Sequence, residues 1–124
     1  HEYFTFDTAY PIGKLKDLRK RLIRTKFIDK DITEDQFAAI FKKQMLTWRI
    51  KPIVWLDSKE NLRFFLETLI PGITIHKNQV AACFKDPSGK PIQINKPNRK
   101  KEKENDLTFY GKKKILAEII FSLR

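Results

Sequence analysis

Cysteine is almost absent from this sequence. Cys83 is the one cysteine among 124 residues, so an internal disulfide is excluded. A lone thiol fits a reducing cytoplasm. Long apolar runs are missing as well, which excludes a helix that crosses a bilayer. We therefore expect a cytoplasmic chain without a membrane partner.

A starting methionine and a signal-peptide pattern are also missing. The chain begins with His1 and continues directly into an aromatic-rich stretch. Its length suits one hydrophobic core and is too short for two typical domains. We expect residues 1–124 to form a single domain that is a fragment of a longer chain.

Signatures of enzyme chemistry are absent too. The sequence contains no Gly-rich phosphate loop, nucleophile elbow, CxxC pair or HExxH motif. His76 and Cys83 lack the paired spacing of zinc ligands, and the other histidine, His1, is the first residue. We therefore expect no enzyme activity, no cofactor and no metal. The catalytic alternative is a metal-independent nuclease that uses His76 and a lysine.

Positive charge is what the sequence has in excess. It carries 26 Lys and Arg against 15 Asp and Glu, a net charge of +11. Such an excess opposes folding by self-repulsion and is typical of proteins with an anionic partner: nucleic acid, an acidic protein or a membrane surface. The alternative is a basic surface that serves solubility alone.

The clearest helix signal covers residues 58–70. Asp57 or Ser58 can cap its first amides, and Pro71-Gly72 ends it. Its apolar side chains recur at i, i+3, i+4, i+7 and i+8 and share one face, which comprises Leu62, Phe65, Leu66, Leu69 and Ile70. We expect this face to form the centre of the core.

A basic helix is predicted over residues 11–25. Leu15, Leu18 and Leu22 form its apolar face. Lys16, Lys20 and Arg24 fall at i, i+4 and i+8 on the other side, with Arg19 beside them. These cations repel one another, whereas a phosphate backbone would attract them all. We predict that these four residues bind nucleic acid; the alternative is an ordinary solvated helix face.

Three more helices are predicted. Thr33 and Gln36 form a capping box that opens the second helix. A short helix, with Asn78 as its cap, is expected to carry Val80, Cys83 and Phe84. The last helix begins near Asp106 or Thr108, and its expected buried face is Ile115, Leu116, Ile119, Ile120 and Leu123.

A small β element is expected beside the helices. The β-branched run Ile73-Thr74-Ile75 could pair with Ile53-Val54. Asp86-Pro87-Ser88-Gly89 is a strong turn signal, and it predicts a hairpin tip that resembles a small wing. The predicted fold class is mainly α with a small β element, with about five helices around one core.

Residues 95–106 contain no aliphatic side chain, so we expect a mobile basic loop. Its cations could follow phosphates, and we predict that four of them bind nucleic acid: Lys96, Arg99, Lys100 and Lys101. The alternative is an ordinary linker of similar composition.

The order of apolar landmarks resembles that of the RteC-like regulators of bacterial conjugative transposons. The landmarks lie within residues 27–94 and are Phe37, Ile40, Phe41, Ile53, Trp55, Ser58-Lys59, Leu62, Phe65, Leu69, Cys83-Phe84 and Gly89-Lys90. This resemblance implies a helical, cytoplasmic DNA-binding regulator of excision genes, with winged-helix-like character in its C-terminal part. No residue of this chain matches a base-reading position, so operator recognition is not carried over.

Together these features predict a DNA-binding regulatory domain of a mobile-element protein, which contacts duplex phosphates through a basic helix and a basic loop. The alternative is a protein–protein interaction module of such a protein, docked on an acidic partner without direct contact to nucleic acid. RNA is a third option, although no aromatic run of the RNP type is present. The target sequence, the oligomeric state and the direction of regulation are not specified by the sequence.

Overall fold

The fold is known from a computed structural model, which describes residues 4–46, 50–94 and 107–123. For residues 107–110 it describes the backbone alone. These ranges contain five helices and two short strands: α1 (Ile12–Arg24), α2 (Glu34–Ile40), β1 (Ile53–Val54), α3 (Lys59–Leu69), α4 (Lys77–Cys83), β2 (Phe84–Lys85) and α5 (Leu107–Phe121). The predicted mainly α fold with a small β element is confirmed. None of the helices in the described ranges combines the length and apolarity needed to cross a membrane.

The core lies where α1 and α3 bury their apolar faces. Leu15, Leu18 and Leu22 of α1 are completely buried, and α1 packs against both α2 and α5. Leu62 and Leu66 of α3 are equally inaccessible, and α3 packs against α5. The predicted burial of the α3 face is confirmed for Leu62, Phe65, Leu66 and Leu69, whereas Ile70 is only half-buried.

Trp55 connects the elements around this core. Its indole ring lies 5.7 Å from the ring of Phe27, 5.5 Å from that of Phe65 and 6.4 Å from that of Phe84. The indole N–H donates to the carbonyl oxygen of Ser58 at 2.9 Å, so this buried donor is satisfied. The end of α1, the start of α3 and β2 are thereby fixed around one side chain.

The last helix differs from its predicted pattern at one position. Leu116, Ile119, Ile120 and Leu123 are buried as expected, whereas Ile115 is 41% exposed. The stripe that α5 presents to its neighbours is narrower than the apolar stretch of its sequence. The prediction of a buried Ile115 was therefore wrong.

The small sheet has a different partner from the predicted one. β1 pairs in parallel with β2, with Ile53 opposite Phe84 and Val54 opposite Lys85. The prediction that residues 73–75 pair with β1 was wrong; Ile73 and Ile75 instead pack half-buried against the core. The placement of Phe84 in the short helix was also wrong, because α4 ends at Cys83, and the N-cap of α4 is His76 rather than Asn78. Burial of Phe84, which is fully inaccessible, favours the observed pairing because a large ring gains more from leaving water than a half-buried isoleucine.

The predicted hairpin tip is present after β2. Lys85 and Pro91 form an antiparallel bridge, and the backbone N–H of Asp86 donates to the carbonyl oxygen of Lys90 at 2.8 Å. The Asp86 carboxylate accepts hydrogen bonds from the hydroxyl and N–H of Ser88 and from the N–H of Lys90. These bonds, above all that from the Ser88 hydroxyl, lower the pKa of Asp86. The winged-helix-like arrangement of this region stays a prediction.

Candidate nucleic-acid interface

The exposed side of α1 carries the predicted cations. Lys20 and Arg24 are exposed and Lys16 is half-exposed, on the face opposite the buried leucines. We call these three residues the basic ridge. Because α1 is a continuous helix over this range, the predicted i, i+4, i+8 alignment of the ridge follows.

The cations of the basic ridge, Lys16, Lys20 and Arg24, are not engaged in ion pairs within the described residues. The single acidic residue of α1, Asp17, is paired with Arg21 instead, at 3.1 Å between Oδ2 and Nε. The ridge is thus free to attract an external anion.

Arg19 has a contact of its own within the fold. Its Nε donates to the carbonyl oxygen of Ile32 at 2.8 Å, and its side chain is half-buried. Ile32 is itself buried, so this bond fixes the turn that precedes α2 against the side of α1. The predicted phosphate contact of Arg19 stays a prediction, but a structural role is already visible.

The chain around this turn contains an acidic segment. It consists of Asp29, Asp31, Glu34 and Asp35, which lie around the turn that Arg19 holds. A second basic residue, Lys51, also reaches this turn, with its Nζ 3.3 Å from the carbonyl oxygen of Asp31. Like charges repel, so a polyanion on the ridge is expected to avoid the α2 side.

Lys26 is a basic residue that the sequence analysis left out of the site. It follows the exposed Arg24 and Thr25, is exposed itself, and has a left-handed backbone with φ of 64°. In the sequence, Lys26 continues a run of cations beyond the end of the predicted helix, and this run could have indicated it as a candidate. Its left-handed conformation has no such signal, because Gly or Asn is the residue usually found there.

The second predicted basic segment cannot be placed. Lys96, Arg99, Lys100 and Lys101 lie outside the described residues. The prediction that they bind the same polyanion as α1 therefore stays a prediction.

A concave surface of the described residues lies between residues 4–7 and residues 70–79. It is a groove of about 530 Å³, and its lining includes His76, Lys43 and Gln79. The Gln79 amide donates to the carbonyl oxygen of Phe4 at 2.8 Å, and Lys43 Nζ lies 5.5 Å from the centre of the Phe4 ring. These polar groups hold residues 4–7 in place.

His76 and Cys83, the two residues considered as metal ligands, belong to no group of three ligands in the described ranges. In the described ranges, no three His, Cys, Asp or Glu side chains are close enough to hold a metal ion. Cys83 is buried, and this burial raises the pKa of its thiol to about 12, so the thiol is protonated at neutral pH. Its side chain therefore acts as a small apolar core residue.

Comparison of the chain with protein-family models, with curated proteins and with solved structures finds no match.

Proposed function

We propose that this chain is a DNA-binding regulatory domain of a mobile-element protein, of the RteC-like kind and active in the cytoplasm. In this proposal the basic ridge binds the phosphates of duplex DNA. The observation that carries it is the positive charge of Lys16, Lys20 and Arg24, which form no ion pair with an acidic side chain of the described residues. The net charge of +11 acts in the same direction at longer range.

The dimensions of the basic ridge suit a nucleic-acid strand. Its members are four residues apart, which is about 6 Å along a helix axis, so the three together span about 12 Å. One strand of duplex DNA carries a phosphate about every 3.4 Å along the axis. Because the strand also winds around this axis, neighbouring phosphates are farther apart in space than the axial rise, and the ridge can contact about three consecutive phosphates of one strand.

The positions of the aromatic residues favour a duplex over a single strand. Proteins that bind single strands stack bases on accessible aromatic rings. Phe6, Phe27, Phe37 and Trp55 are buried, and among the described aromatic side chains only Phe121 is exposed. Phe121 lies on α5, in a separate element from the ridge. Tyr10, which precedes α1, is half-buried, and α1 itself carries no aromatic side chain.

Phosphate contacts supply affinity without sequence information. Base recognition in this proposal comes from a second element, either a helix end or the turn around the exposed Lys90. The turn is well defined by the hydrogen bonds of Asp86, so it can present Lys90 in one orientation.

Salt dependence of binding to a random-sequence duplex tests the proposal. Fluorescence anisotropy at several ionic strengths gives the slope of log affinity against log salt. The triple variant Lys16→Gln, Lys20→Gln, Arg24→Gln should reduce this slope by about 2.7, at about 0.9 for each lost phosphate contact. It should weaken binding to all sequences alike.

The matched control is a triple variant with the same net charge. Lys59, Lys77 and Lys114 are exposed lysines on α3, α4 and α5, and their replacement by Gln removes three charges away from the ridge. The proposal requires that this control binds much better than the ridge variant. If both triples lose the same affinity, net charge alone accounts for binding and the ridge has no special role.

An acidic protein is the second candidate partner. The observation that favours it is the exposure of Ile115 and Phe121 on α5, at 41% and 54%, since protein interfaces often bury such side chains. Polyglutamate is a suitable probe for this candidate. Binding of polyglutamate without binding of duplex DNA, at the same low salt, would replace the first proposal by the second.

A further inference from the structure

Two residues other than glycine have a left-handed backbone in the described ranges, and both are lysines. Lys26 has a φ of 64° and Lys43 a φ of 48°. A side chain with a Cβ adopts this conformation only at an energetic cost, and glycine is the usual residue. For backbone conformation alone, glycine would be more favourable than lysine at both positions.

Lys26 occupies the position directly after the C-cap of α1. Thr25 is the C-cap residue, the N–H of Lys26 donates to the carbonyl oxygen of Ile23 at 3.0 Å, and that of Phe27 donates to Leu22 at 2.9 Å. This pair of bonds defines a Schellman motif, in which glycine is strongly favoured at the place of Lys26. The motif uses only the backbone of Lys26.

The carbonyl groups at this helix end do not need the Lys26 ammonium. The oxygens of Leu22 and Ile23 accept the two backbone bonds, and the oxygen of Arg21 accepts from both the N–H and the hydroxyl of Thr25, at 3.0 and 2.7 Å. Within the described residues, the exposed Lys26 side chain forms no hydrogen bond or ion pair. Its charge can interact with the helix dipole, but Arg21 and Arg24 in the last turn already supply positive charge there.

Lys43 differs from Lys26 in this respect. Its Nζ lies 5.5 Å from the centre of the Phe4 ring, at the distance of a cation–π contact. The fold thus uses the charge of Lys43, whereas the described residues offer no such contact to Lys26.

We infer that Lys26 is a further phosphate-binding residue, which extends the basic ridge beyond the C-terminus of α1. This inference rests on the proposed function. Lys26 follows Arg24 by two residues, so their Cα atoms are at most about 7 Å apart, close enough to contact neighbouring phosphates of one strand. Binding thus accounts for a lysine at a position where glycine would suit the fold better.

Three variants test the role of Lys26: Lys26→Gly, Lys26→Arg and the control Lys43→Gly. Both glycine variants relieve a left-handed backbone and remove one charge, and the loss of the Phe4 contact in Lys43→Gly offsets that relief, so neither should lower the Tm by more than about 2 °C. Lys26→Gly should raise the Kd for a random duplex about fivefold and reduce the salt slope by about 0.9, because one phosphate contact is lost. Lys26→Arg should bind like the unaltered protein, and so should Lys43→Gly.

Equal affinities of Lys26→Gly and Lys43→Gly would overturn this inference, and so would a larger fall of the Tm in Lys26→Gly than in Lys43→Gly. Failure of the proposed function has a different result. In that case the Lys16, Lys20 and Arg24 triple variant itself binds duplex DNA as well as its matched control does.

Discussion

Lys112 on α5 forms an ion pair with Asp57, with 3.3 Å between Nζ and Oδ1. Asp57 precedes the Ser58 cap of α3, so the pair joins the N-terminus of α3 to the last helix. The Asp57 carboxylate also accepts hydrogen bonds from the N–H of Ser58 and the amide of Asn61, at 2.8 and 3.2 Å. The Asp57 side chain is 11% exposed and that of Lys112 is 46% exposed.

This difference in exposure predicts unequal losses of stability. Asp57→Ala leaves the amide of the buried Asn61 and the N–H of Ser58 without their acceptor, so it should lower the free energy of unfolding by about 2 kcal/mol. Lys112→Ala should cost less than about 1 kcal/mol, because a solvent-exposed charge contributes little to an ion pair. Urea denaturation of both variants measures these values. Similar losses in the two variants would show that the ion pair contributes more to stability than the hydrogen bonds of Asp57 at the start of α3.

Arg19 and Lys20 are adjacent in sequence and should respond differently to substitution. Arg19→Gln removes the bond to the carbonyl oxygen of Ile32 and should cost about 1 kcal/mol of unfolding free energy, whereas Lys20→Gln should change stability by less than about 0.5 kcal/mol. In duplex binding, Lys20→Gln should reduce the salt slope by about 0.9. Urea denaturation and anisotropy on the same two proteins test both statements. An equally stable Arg19→Gln variant would contradict the role given to the Arg19–Ile32 bond.

The raised pKa of the buried Cys83 thiol predicts that the protein loses stability at alkaline pH. Its pKa is about 12 in the folded protein against an ordinary value of 9.0. Between these values the unfolded chain releases the thiol proton and the folded protein keeps it, so this contribution is fully present below pH 9 and is lost as the pH rises toward 12. From about pH 8 to pH 10.5 the expected loss is roughly 1–2 kcal/mol of unfolding free energy.

Comparison with Cys83→Ala isolates this effect. The variant creates a cavity whose cost does not depend on pH, and lysines and tyrosines titrate equally in both proteins. Urea midpoints at the two pH values should therefore fall further for the unaltered protein than for Cys83→Ala. Parallel declines would mean that the thiol is accessible to water in the folded state.

Much of the helical framework could be predicted from local sequence. Thr33 and Gln36 form the predicted capping box, in which the Thr33 side chain accepts from the Gln36 N–H and the Gln36 side chain accepts from the Thr33 N–H. The Ser58 hydroxyl caps α3 as one of the two predicted candidates. Such signals involve residues three positions apart, so they do not depend on the rest of the fold.

The candidate site was predicted in part. The periodicity of α1 placed the basic ridge opposite the buried leucines, and that placement is confirmed. The bond of Arg19 to Ile32 and the left-handed backbone of Lys26 could not be predicted. Both depend on how the turn after α1 returns to the core, which the spacing of charges does not encode.

The sequence by itself determined the presence of the helices, the caps at Thr33 and Ser58 and the separation of apolar from basic faces, because these depend on neighbours within one or two turns of the chain. Tertiary structure alone decided that Phe84 pairs beside Ile53, that Ile115 stays exposed and that Arg19 holds the turn before α2. These contacts join residues far apart in the chain. Which of these contacts form depends on which apolar and polar groups occupy the same space in the folded protein. Local sequence patterns do not specify that choice.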